Sequence, residues 1–109
     1  MKIVTSPLAK RQFRGTVRYI QREFGHRSAE KFVQKVQETR DLLAYNPHLG
    51  PIEPLLADTH KEYRSVVVTR LNKIVYHIVG NHIEIVAFWD CRREPKALVN
   101  QMQQDNKEI

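Results

Sequence analysis

The stretch YRSVVVTRLNKIVYHIVGNHIEIVAFWD, residues 63–90, decides how this chain folds. It holds three runs rich in β-branched and aromatic residues, Tyr63–Val68, Lys73–Val79 and His82–Trp89, which read as strands. Gly80-Asn81 suits a two-residue turn that requires positive φ. Thr69-Arg70-Leu71-Asn72 reads as a four-residue loop, so the three strands form an antiparallel meander. The first turn sets Val79 opposite His82, Ile78 opposite Ile83, His77 opposite Glu84 and Tyr76 opposite Ile85. The second sets Val68 opposite Lys73, Val66 opposite Val75 and Arg64 opposite His77. Side chains alternate along a strand, so one face carries Tyr63, Ser65, Val67, Ile74, Tyr76, Ile78, Ile83, Ile85 and Ala87. That nearly apolar face is the one helices must cover. The other face carries the rows Arg64/His77/Glu84, Val66/Val75/Val86 and Val68/Lys73/Phe88. Five of its nine side chains are apolar, which does not suit water, so the last helix or a partner molecule is expected to cover it.

Upstream, Lys2–Thr5 reads as a short strand, and Ser6-Pro7 as a helix cap followed by proline at the first helical position. Phe13, Val17, Ile20 and Phe24 recur at spacings of four, three and four, which is one helical face. Arg11, Arg14, Arg18 and Arg22 mark another, and Gly25 ends the helix. A second helix is expected from Ser28 to about Tyr45, with Ala29, Phe32, Val33, Val36 and Leu43 as its apolar stripe. It stops before Pro47, because the residue ahead of a proline avoids helical geometry. A short connection makes the two helices an antiparallel hairpin. Three prolines and a glycine mark residues 46–60 as a loop, and Glu94 to about Asp105 reads as a last helix, with Ala97, Leu98 and Met102 on one side. The order is β-α-α-β-β-β-α. It predicts an α+β fold with the helical hairpin on one face of an antiparallel sheet.

With 109 residues this is one domain, large enough for a core of its own. The single cysteine, Cys91, excludes an internal disulfide, and no apolar run approaches the ~20 residues that span a bilayer. Residues 1–11 lack the apolar region of a signal peptide, so a cytoplasmic protein without membrane contact is expected. The net charge of +6 is concentrated: residues 1–46 hold ten Lys/Arg against four Asp/Glu, and the remainder hold eight against eight. Such a field draws acidic partners, nucleic acid or protein.

The element order, the basic first helix, the loop NPHLGPIEP (residues 46–54), and YRSVVV and TRLNKIVYHI followed by FWDCRREP (residues 88–95) resemble the RelE/ParE superfamily over nearly the whole chain. The superfamily supplies the toxins of bacterial type II toxin–antitoxin systems. The resemblance implies a cognate antitoxin, a toxin–antitoxin hetero-oligomer and one of two activities. One branch cuts messenger RNA at the ribosome without a metal; the ParE-like branch inhibits DNA gyrase and is no nuclease. Positions that keep the family's basic groups are Arg64, Lys73, Arg92 and Arg93, which would hold an anionic target. Val66 and Val68 stand where the cutting branch has further cations, and Val99 falls near its late tyrosine. A metal-free ribonuclease needs a base, an acid and cations for the phosphorane charge. His77 and Glu84 beside Arg64 are the surviving acid–base candidates; the bland alternative is a cross-strand charged row. The ParE-like reading therefore comes first, the ribosome-dependent ribonuclease second.

A nucleic-acid-binding module is the third reading. The α-β-β-β-α stretch is similar in order to a double-stranded RNA-binding domain, but the last helix opens Glu94-Pro95-Lys96-Ala97 and adds few cations. Under either toxin reading, the antitoxin is expected across the apolar outer face, on Val66, Val68, Val75, Val86 and Phe88, and beside Arg11, Arg14 and Arg18. That face is thus read as the seat of a second molecule. Trp89 points to the core, and Cys91 is an incidental thiol although neighbouring arginines favour a thiolate. His26, His48, His60, His77 and His82 show no metal-ligand spacing, and no phosphate-cradling glycine loop occurs, so no cofactor or metal is expected.

Overall fold

The computed structural model describes residues 1–107. Strand β1 (Lys2–Thr5) leads into helix α1 (Pro7–Phe24), where the Ser6 side chain accepts from the Ala9 amide and Pro7 opens the first turn. Helix α2 (His26–Tyr45) follows after Gly25 alone, whose φ of 95° lies where only glycine is comfortable. The connection is thus one residue, and α2 starts two residues before Ser28, whose hydroxyl instead donates back to the Phe24 carbonyl. A loop with a short 3-10 turn at Pro54–Leu56 leads to β2 (Arg64–Thr69), β3 (Asn72–Val79), β4 (His82–Asp90) and helix α3 (Pro95–Lys107). The sheet order is β1-β4-β3-β2. The meander is antiparallel, and β1 pairs parallel with β4, so the sheet is mixed. Among the described residues no helix is long and apolar enough to cross a membrane.

The β3–β4 register begins as expected: Val79 faces His82, Ile78 faces Ile83, His77 faces Glu84 and Tyr76 faces Ile85. Of the two turn residues, Gly80 alone takes positive φ, as a turn with glycine in its first central position requires. Then β4 bulges, and Val75 pairs with Ala87 instead of Val86. The β2–β3 connection departs further. Thr69 pairs with Asn72 across a two-residue turn, and a bulge between Val67 and Thr69 sets Val66 opposite Ile74 and Arg64 opposite Tyr76. A slip of one residue moves every side chain of a strand to the opposite face. Val66 and Val68 therefore point at the hairpin, and Tyr63 and Ser65 point away from it.

The expectation of a bare apolar face is overturned. Val68 and Phe88 are buried with Phe32, Val36, Leu43, Ile74, Tyr76, Ile83 and Ile85 beneath the hairpin, and Val66 packs at the margin of that core. Val75 and Val86 lie in a second core with Tyr63, Ala87 and Trp89, closed by Leu56 and by Leu98 and Met102 of α3. The protein's own last helix fills the place assigned to a second molecule. The hairpin stripes otherwise pack as their spacing predicts, except that Phe24 stays 66% exposed and Val33 40%.

Candidate functional site

Strand β3 runs past the end of β2, because Arg64 at the start of β2 already faces Tyr76. His77, Ile78 and Val79 therefore present an edge without a β2 partner, and an open cleft of about 820 Å³ lies against it. His48, Lys61, Arg64, His77 and Glu84 line this cleft. His77 is 7% exposed, and its Nε2 lies 2.9 Å from Glu84 Oε1. A carboxylate can only accept, so this contact puts the imidazole proton on Nε2 and leaves Nδ1 as the basic atom. The Tyr63 ring lies 5.3 Å from the imidazole, centroid to centroid. Arg64 donates from Nη1 to the Gly50 carbonyl at 2.9 Å and from Nη2 to Glu62 at 2.7 Å. The expected row Arg64/His77/Glu84 is thus a cross-strand His–Glu pair, with Arg64 reaching the same cleft from the hairpin side of the sheet. A histidine oriented by a glutamate is the arrangement a general base needs.

The other basic groups lie elsewhere. Lys73 is directed into the protein, where its ammonium donates to Glu53 Oε1 and the Ser65 hydroxyl donates to Glu53 Oε2 at 2.6 Å. Glu53 is 2% exposed, and the Lys73 side chain 16%. The Glu53 amide also donates to the Tyr63 carbonyl, which fixes the proline loop along β2. The reading of Lys73 as a free cation for an anion is corrected: its charge is spent on a buried carboxylate. Sequence reasoning missed Glu53, and the one available signal was an acid lodged between Pro51 and Pro54, with Ile52 before it and Leu55 and Leu56 after.

The loop is pinned again at Tyr76, whose hydroxyl donates to the Pro47 carbonyl at 2.7 Å and accepts from the Gly50 amide at 3.0 Å. Burial raises the Tyr76 phenol above its ordinary value of 10.0. Gly50 must be glycine, since a Cβ there would stand 2.2 Å from the Ser65 carbonyl oxygen.

At the strand exit, Asp90 Oδ1 accepts from the Arg92 amide and Nε, and Oδ2 accepts from Nη2 at 2.8 Å. These bonds hold the Asp90 carboxyl below its ordinary 3.8 and raise the Arg92 guanidinium above its ordinary value. Arg93 lies 4.4 Å from the centroid of the Trp89 ring and makes no ion pair among the described residues. Trp89 itself is buried, but beneath α3 with Leu98 and Met102 rather than on the hairpin side that the expected register gave it. Cys91 is exposed, yet partial burial of its thiol outweighs the pull of Lys73 and holds it above 9.0, so it is a neutral thiol at pH 7 and not the thiolate its arginines suggest. Among the described residues no group of three or more His, Cys, Asp or Glu is placed to hold a metal. Arg11, Arg14 and Arg18 lie exposed on α1.

A family model described as the ParE toxin of type II toxin–antitoxin systems, parDE, matches residues 3–95. Among solved structures, the chain is similar to the chromosomal ParDE toxin–antitoxin system from P. aeruginosa, with a TM-score of 0.68 and 18% identity over 83% of this chain and 95% of that one. It is similar to the YoeB dimer from Staphylococcus aureus, with a TM-score of 0.57 and 25% identity over 81% and 93%. It also resembles the YoeB/ParE toxin from Agrobacterium tumefaciens, with a TM-score of 0.56 and 22% identity over 83% and 98%. No curated protein matches it.

Proposed function

The chain belongs to the ParE toxin family of type II toxin–antitoxin systems, and we propose that it acts as the ParE-like branch does, by inhibiting DNA gyrase rather than by cutting RNA. The observation that carries this reading is the matching of charges. Lys73 pairs with Glu53, Arg64 with Glu62 and Arg92 with Asp90. Metal-free cleavage of RNA needs cations free to meet charge as it builds on the phosphorane. Three of the four basic groups proposed for a target anion answer to acids of this chain, and Arg93 lies over Trp89. Val66 and Val68, where the cutting branch has further cations, face the core. The solved relatives include ParDE and YoeB-YefM pairs, in keeping with an antitoxin as partner.

The second reading, a ribosome-dependent ribonuclease, is favoured by one observation: the His77–Glu84 pair opens on a cleft that Arg64 also lines. Induced expression in cells separates the two. A gyrase poison leaves transcripts whole and triggers a DNA-damage response, and it keeps its toxicity when His77→Gln and Glu84→Gln are combined. Cut transcripts, lost in that double variant, would establish the ribonuclease instead.

A further inference from the structure

Where β1 ends, residues of α1, α2 and β4 surround a recess of about 270 Å³. Its apolar lining is Phe13, Val36 and Phe88, with the Phe13 and Phe88 rings 5.2 Å apart, centroid to centroid. The rest of the lining is Thr5, Lys10, Arg14 and Arg40, so three cations and no acid border it. None of these three cationic side chains forms a hydrogen bond, ion pair or ring contact among the described residues. The acids flanking Arg40 in sequence are engaged elsewhere: Glu38 accepts from Gln34, and Asp41 accepts from Gln37. The sheet behaves differently, since Arg64, Lys73 and Arg92 each meet a carboxylate.

This arrangement works against the free chain. Lys10 and Arg14 stand one turn apart on α1, and like charges at that spacing repel. Arg40 is half-buried, and a charge taken partly out of water without a partner is costly. Thr5 adds an independent sign. Its Oγ1 is shut off from solvent and has no hydrogen-bond partner among the described residues, whereas buried polar groups are nearly always paired. We infer that this recess binds a compact organic anion, a carboxylate carried on a small apolar body. The body lies against Phe13, Val36 and Phe88, and the carboxylate meets Arg14 and Arg40, with Lys10 adding charge. Volume sets the size: an apolar cavity of about 150 Å³ already admits benzene, so this recess has room for one ring with its carboxylate. A helix, about 10 Å across, does not fit. An occupant ties the hairpin to β1 and β4 and stabilises the folded chain by mass action. The inference stands whichever target the toxin has.

The test is an NMR titration of the full chain with benzoate, acetate, inorganic phosphate and benzyl alcohol. Benzoate should saturate with a Kd of about 1 mM, the strength of a small fragment, and shift the amides of Thr5, Phe13, Val36 and Phe88. Acetate and phosphate lack the apolar body and benzyl alcohol lacks the charge, so each should bind at least about 10-fold more weakly. Arg14→Gln combined with Arg40→Gln should weaken benzoate by about 10-fold. Arg27→Gln, an exposed charge outside the recess, should change it by less than about twofold. Thr5→Val should raise the melting temperature of the unliganded chain and shrink the further rise that benzoate gives. Failure of benzoate to saturate by about 20 mM, or shifts that map away from those four residues, would overturn the inference. So would phosphate binding as tightly as benzoate, the mark of a plain counter-ion, or an unchanged affinity in the double arginine variant. Should that variant not fold, the wild-type probe series decides alone.

Discussion

Glu53 and Lys73 are twenty residues apart in sequence, and neither is ordinary on a protein's inside. Their pairing, completed by the Ser65 hydroxyl, is tolerable only as a set. Removing one member leaves the other charged and dry, so Glu53→Ala should cost about 3–5 kcal/mol in urea denaturation, and adding Lys73→Met should recover much of the loss. Asp90 gives a pH signature. Its carboxyl titrates below its ordinary 3.8 in the folded chain, so its contribution is complete above that value and disappears as pH falls through the lower folded one. The stability difference between wild type and Asp90→Asn should be constant near neutrality and vanish in acid; a difference that persists at the lowest pH would contradict the assignment. At this scale the His77–Glu84 contact was legible, because the Gly80-Asn81 turn sets it locally. Glu53 was not legible, because nothing near it in sequence names its partner.

At the level of elements, helix periodicity and turn residues gave all seven segments, and the errors concentrate where geometry depends on a bulge. The Arg70-Leu71 turn and the bulge beside Val68 rotate β2 by one residue, and a second bulge turns Val86 and Ala87 within β4. Alternating patterns constrain a strand only when its two faces differ. Here both faces are apolar, since the hairpin covers one and α3 the other, and so the pattern fits either register. The same fact explains why valines that read as an exposed patch are core residues. It also assigns α3 a structural duty. Leu98 is fully buried against Val75 and Trp89, and Leu98→Ala should lower stability by about 2–5 kcal/mol. A change well below 1 kcal/mol in chemical denaturation would mean that α3 does not close the sheet in solution.

Taken whole, the molecule divides its charge. The first 46 residues, β1 with the hairpin, carry the whole net excess of +6, with the long guanidinium stripe of α1 facing outward, while the remainder is neutral and ties Arg64, Lys73 and Arg92 to its own acids. A basic hairpin attracts acidic partners at long range. A sheet with matched charges makes a weak phosphate site. That division is the physical basis for reading this family member as a protein that works by binding rather than by cutting. The purified chain, added to gyrase with supercoiled DNA and separately to ribosomes carrying messenger RNA, tests it most directly. The account predicts gyrase-dependent double-strand breaks in the first reaction and intact transcripts in the second; cleaved messenger RNA with undisturbed gyrase would contradict it.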